Sequence, residues 1–199
     1  MNSANERPRI SGVILAGGKG RRMGGVDKGL QPFRGRRLVE WIIERLRPQV
    51  DEILINANQN PERYAEHGYS VISDLVPDFA GPLAGFHSAL SSAANDLVIT
   101  VPCDSPFLPV DLADRLWRAL DGASADIAVA RTGARAHPVF CLLRRSLLPH
   151  LDDYLSQGGR KIDAWYANLN VVEVPFDDNP DAFGNFNTLD ELAAAERNG

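Results

Sequence analysis

Cysteine is scarce: the 199 residues hold two, Cys103 and Cys141, each inside an apolar segment. That excludes a disulfide framework and a zinc site built on cysteine pairs, and it leaves two buried thiols as the expectation. A basic excess is also missing. The net charge of −5 argues against a general nucleic-acid binder, so any anion site must be local. No uninterrupted apolar run approaches the ~20 residues that span a bilayer. The opening "MNSANERPR" has no apolar stretch that could serve as a signal peptide. Together these point to a cytoplasmic protein with neither membrane nor nucleic acid as partner. Repeats, low-complexity tracts and Pro/Ser-rich linkers are absent too, which predicts a disordered tail at 1–8 and a single domain over 9–199.

What is present is an ordinary globular composition, 44% hydrophobic and 24% charged. Short apolar runs recur as "ISGVIL", "EILINA", "YSVISD", "DLVITV", "DIAVA", "HPVFCLL" and "NVVEVPF". Between most of them lie segments of helical period. Leu38, Trp41, Ile42 and Leu46 form one such face, Leu83, Phe86 and Leu90 a second, Leu112, Leu116 and Leu120 a third, and Leu147, Leu151 and Leu155 a fourth. In "TLDELAAAERN" Thr188 and Glu191 have capping-box spacing. Alternating strands and helices predict an α/β fold, a three-layer Rossmann-like sandwich with a mostly parallel central sheet and helices on both faces.

The loop after the first strand, "LAGGKGRRMGGVDK" at 15–28, carries glycines and basic residues where an open α/β sheet usually binds ligands. Glycines let backbone N–H groups converge on phosphate oxygens. A P-loop is excluded, because Val26 and Asp27 follow Gly25 where Lys-Ser/Thr is needed. A dinucleotide fingerprint is broken at Met23. A mobile Gly-Arg surface loop is the plain alternative to an anion site. Asp104, in "PCDSP", follows the buried run "DLVITV" on the same sheet edge. It suits either a turn or Mg²⁺, and the phosphate loop beside it favours the metal. Asn56 and Asp74 also end strands on that edge, as candidates for base or ribose recognition.

"LAGG-x-x-R-R-M-G-x-x-K" at 15–28, "GPLAG" at 81–85, "PCDSP" at 102–106 and "NFNT" at 185–188 together resemble the molybdenum cofactor guanylyltransferase family, over nearly the whole chain and in the right order. The first motif is common to enzymes that join a nucleotide to a phosphorylated acceptor, and the later ones narrow it. Leu189, where many members carry proline, and Gly20 depart from the pattern. The resemblance implies transfer of GMP from GTP to the phosphate of molybdopterin, with Mg²⁺ required and pyrophosphate released. It implies nucleotide contacts at Leu15, Ala16, Gly17, Gly18, Lys28, Asn56, Asp74, Gly81, Gly85 and Asp104, and a magnesium ligand in Asp104. It further implies catalytic roles for Lys28, Arg22 and Asp104, pterin contacts at Arg160, Asn185 and Asn187, and molybdoenzymes or their chaperones as further partners.

A phosphate acceptor is already anionic, so no strong general base is needed; the barrier is electrostatic and is lowered by positioned positive charge. His137 in "RAHPVF" is accordingly read as structural or substrate-lining, at the start of a strand whose first position suits Pro138. A cytidylyl- or sugar-nucleotide transferase using the same loop and a non-catalytic nucleotide-sensing domain remain as alternatives.

Overall fold

The computed structural model describes residues 7–17, 27–76, 81–186 and 188–197. A central seven-stranded sheet is built from β1 (Ile10–Leu15), β4 (Glu52–Asn56), β5 (Ser70–Ile72), β6 (Leu97–Pro102), β7 (Ile127–Thr132), β8 (Arg135–Arg144) and β9 (Val171–Pro175). Their order across the sheet is β5-β4-β1-β6-β8-β7-β9. All neighbours are parallel except β8, which runs against both β6 and β7. A two-residue pair, β2 (Pro32–Phe33) and β3 (Arg36–Arg37), forms a separate hairpin.

The alternation along β1 explains the layering. Ile10 and Ile14 face a cluster filled by Ile42 and Leu46 of α1 (Leu38–Leu46) and Leu112, Leu116 and Leu120 of α4 (Leu112–Gly122). Val13 faces the other, filled by Leu83, Phe86 and Leu90 of α3 (Pro82–Ser92), Leu151 and Leu155 of α5 (Leu148–Ser156) and Trp165 of α6 (Ile162–Tyr166). Each large side chain so buried contributes ~1.5–3 kcal/mol. β1 and β6 are thus covered on both sides, as their unbroken apolar runs require. The short helix α2 (Pro61–Ala65) lies between β4 and β5, and α7 (Leu189–Arg197) closes the chain. The Glu191 N–H donates to Thr188 Oγ1 at 3.1 Å, one half of the expected capping box.

Arg7 donates to the Gln49 carbonyl and lies 3.4 Å from Asp51, so the chain is in contact with the body three residues before β1. Both cysteines are buried free thiols. Burial pushes the Cys141 thiol up to about 11 against the opposing hydrogen bonds from Thr100 and Tyr166. Among the described residues, no helix is long and apolar enough to cross a membrane.

Candidate active site

Four parallel strands end side by side: Leu15 is level with Asn56 and with Pro102, and Asn56 with Ile72. The exits are knitted by backbone bonds, Ala16 N–H to Asn56 O at 2.8 Å, Ala57 N–H to Ile72 O at 2.8 Å and Cys103 N–H to Leu15 O at 3.1 Å. This edge gathers Leu15, Ala16, Gly17, Asn56, Asp74 and Asp104 from separate parts of the sequence.

Asn56, 1% exposed, donates from Nδ2 to Asp74 Oδ1 at 3.0 Å. Asn58 donates to the other oxygen, Asp74 Oδ2, at 2.7 Å and to the Gly17 carbonyl at 3.2 Å, while its own Oδ1 accepts the Asp74 N–H at 2.8 Å. Asp74 is therefore aimed by two amides, and each of its oxygens retains acceptor capacity. Asn58 was missed from the sequence; its only signal is being the second asparagine of "NAN" after β4.

Two glycines make this packing possible. A Cβ on Gly17 would stand 2.8 Å from Asn58 Nδ2 and 3.0 Å from Asn56 Oδ1. One on Gly85, in α3, would stand 2.9 Å from Leu15 Cδ2 and 3.0 Å from the same Asn56 oxygen. Gly81 answers a different need: it precedes Pro82 with φ 141°, a conformation open to glycine.

Beside this group Lys28 Nζ donates to Asp104 Oδ2 at 2.9 Å, with the carboxylate 9% and the lysine 23% exposed. The sequence singled out both residues, but not as a pair. The Asp104 carbonyl accepts the Phe186 N–H at 3.1 Å, which brings Asn185, its neighbour, to the same edge. Arg160 is on a different element, the turn between α5 and α6, where it donates to the Leu155 and Gly159 carbonyls. Gly18, Arg22 and Asn187 lie outside the described residues.

His137 is the third residue of β8, and Pro138 does not open the strand as its sequence position suggested. The register slips between Val129, paired with Cys141, and Ala130, paired with His137. Pro138 sits in that irregularity, where a missing N–H costs no ladder bond. The buried His137 ring stacks on Phe183 at 4.7 Å, and its Nε2 lies 2.8 Å from Thr132 Oγ1. Burial, reinforced by Arg135, holds its pKa below the usual histidine value. The stack on Phe183 braces the Pro180–Phe183 turn that leads to Asn185.

A mostly parallel sheet with amide, carboxylate and lysine groups converging at its carboxyl edge has the arrangement of a ligand-binding α/β enzyme, and the comparisons with known proteins make it a nucleotidyltransferase. The family model for the MobA-like NTP transferase domain matches residues 12–171. The molybdenum cofactor guanylyltransferase of Cupriavidus necator is 51% identical over 195 residues, covering 96% of this chain and 98% of that one. That of Shewanella putrefaciens is 50% identical over 182 residues, covering 92% and 93%. The crystal structure of molybdopterin-guanine dinucleotide biosynthesis protein A from Archaeoglobus fulgidus superposes with a TM-score of 0.77 at 28% identity, covering 94% of this chain and 97% of that one. The chain belongs to the molybdenum cofactor guanylyltransferase family.

Proposed function

We propose that this protein transfers GMP from GTP to the terminal phosphate of molybdopterin, releasing pyrophosphate and forming molybdopterin guanine dinucleotide. The observation that carries the reading is Asp74, held by Asn56 and Asn58 at the β5 exit, on the same sheet edge as the Lys28–Asp104 pair at the β6 exit, with the β4 and β1 exits between them. A carboxylate with spare acceptor sites suits guanine, whose N1–H and N2–H are adjacent donors. Cytosine offers one donor, N4–H, and would set its N3 acceptor against the second oxygen, so it fits less well.

In this reading Leu15, Ala16, Gly17, Asn56, Asp74, Gly81 and Gly85 shape the nucleoside pocket. Gly18 and Arg22 are given to the phosphates, Arg22 with a catalytic role, on the family resemblance alone. Lys28 supplies positive charge to the phosphates, and its exchange between Asp104 and a phosphate oxygen is a short move for a flexible side chain. Arg160, Asn185 and Asn187 are given to the pterin; the bond from Phe186 N–H to the Asp104 carbonyl, which draws Asn185 to this edge, supports the Asn185 part.

Among the described residues no three His, Cys, Asp or Glu side chains gather into a metal site. Asp104 is the hard oxygen donor assigned to the cation, and one carboxylate fits Mg²⁺, which is commonly held by one or two carboxylates with the rest of its shell from substrate phosphates and water. Bound there, the cation would offset charge on the leaving pyrophosphate. The chain would act as a single domain over 9–199 in the cytoplasm, its product passing to molybdoenzymes or their chaperones.

Melting curves with each nucleoside triphosphate and Mg²⁺ test the base assignment. At a hundredfold excess over Kd, GTP should raise the Tm by roughly 5–10 °C and CTP by clearly less. A larger shift with CTP, or none with any triphosphate, would overturn it.

A further inference from the structure

Lys28 opens a three-residue 3-10 turn, Lys28–Leu30, too short to hold its own geometry. Its neighbours supply the rigidity. Asp27 accepts from the Tyr64 hydroxyl on Oδ1 at 2.5 Å and from Asn60 Nδ2 on Oδ2 at 3.1 Å, while its carbonyl accepts from Gln31 Nε2 at 2.9 Å. On the other side, a Cβ on Gly29 would lie 2.5 Å from the Tyr64 hydroxyl and 3.1 Å from Cys103 Cβ. The turn is thus seated on Tyr64 and on Cys103, and Cys103 immediately precedes Asp104, the partner of Lys28.

Tyr64 is fully buried in α2. Burial above all, with Cys103 and the bonded Asp27 adding to it, pushes its phenol well above the usual range, so it stays a donor. Asn60 precedes Pro61 in the left-handed region at φ 47° and accepts the Arg63 N–H on its carbonyl, which fixes the helix start that carries Tyr64. Each of these residues acts on the segment that holds Lys28.

We propose that Asp27, Asn60 and Tyr64 are positioning residues for Lys28: α2 is an anchor that fixes the lysine against Asp104 and holds it where phosphate charge develops. This rests on the role given to Lys28 above. A side chain displaced by about 1 Å from productive geometry can cost up to ~10²-fold in rate. Binding of the nucleoside, made by the β1, β4 and β5 exits, should be spared.

The test compares Tyr64→Phe and Asn60→Gly in the full chain, the second keeping the positive φ while removing the amide. Tyr64→Phe should speed amide hydrogen exchange in residues 27–31 on the order of tenfold, with α1 and β6 unchanged. It should lower kcat by ~10-fold or more with the KM for GTP within about twofold. Asn60→Gly should do the same to a smaller extent. On a Lys28→Met background neither should lower the residual rate further, because the pair acts through one group. Unchanged exchange at 27–31 beside an impaired Lys28→Met would overturn this proposal alone. Equal loss on both backgrounds would also overturn it, since Tyr64 would then act by another route. A Lys28→Met variant as active as the parent would overturn the role given to Lys28 under the proposed function, and with it the catalytic half of this one.

Discussion

Replacing Asp104 by alanine is expected to lower pyrophosphate release by ~10²–10³-fold, about 2.7–4 kcal/mol of transition-state stabilisation, the range for losing one preorganised electrostatic contact. The carboxylate is the hard-oxygen candidate for the cation and the partner that holds Lys28 at 2.9 Å. The fold should survive, because the Asp104 backbone keeps its bond from Phe186 and Lys28, partly exposed, can turn to water. Asp104→Asn separates charge from shape. It should be as impaired in turnover as the alanine variant, with a Tm closer to the parent. Steady-state pyrophosphate release and melting curves on the three proteins check this; turnover within a few-fold of the parent in either variant would remove Asp104 from the chemistry.

Gly85→Ala should destabilise the chain and weaken GTP binding, although alanine is the better helix former by ~1 kcal/mol. The added methyl would meet Leu15 and Asn56. Leu15 is only partly buried and can shift. Asn56 cannot readily do so, since it is buried and bonded to Asp74. Overpacking of this kind costs ~1–3 kcal/mol, which outweighs the helix gain. The net loss should appear as a Tm lower by a few degrees and a KM for GTP raised several-fold, because displacing Asn56 releases Asp74. Gly122→Ala, at the end of α4 with open space where the methyl would go, is the matched control and should be neutral or slightly stabilising. If Gly85→Ala melted as high as that control and bound GTP normally, the wedge around Asn56 would not be what the nucleoside pocket depends on.

Much of the frame was legible because buried parallel strands have a composition of their own. "GVIL" and "LVITV" could be read as β1 and β6, and the residues just beyond them as site candidates, since strand exits are where such sheets bind ligands. The direction of β8 was not legible. An apolar run carries no arrow, and only the Thr132-Gly133 turn, with Gly133 at φ 53°, marks the hairpin that reverses it. The helices α2 and α6, five residues each, are too short for a helical period to register.

The site divides along the same line. Asn56, Asp74, Lys28 and Asp104 could be named singly from position and motif. Their bonds could not, because the Lys28–Asp104 contact joins residues 76 apart and the Tyr64–Asp27 contact residues 37 apart. Gly17 and Gly85 stood out only through the family pattern. Their physical reason, one asparagine oxygen pressed against both, is a tertiary fact. Asn58 and Tyr64 carry no motif, and their importance follows entirely from what they touch.

The most direct test of the central claim is to incubate the purified chain with Mg²⁺, molybdopterin and either GTP or CTP, and to measure the mass of the product together with pyrophosphate. The expected result is molybdopterin guanine dinucleotide formed with one pyrophosphate per product, and CTP turned over far more slowly. Faster formation of the cytosine dinucleotide, or pyrophosphate release that does not depend on molybdopterin, would contradict it.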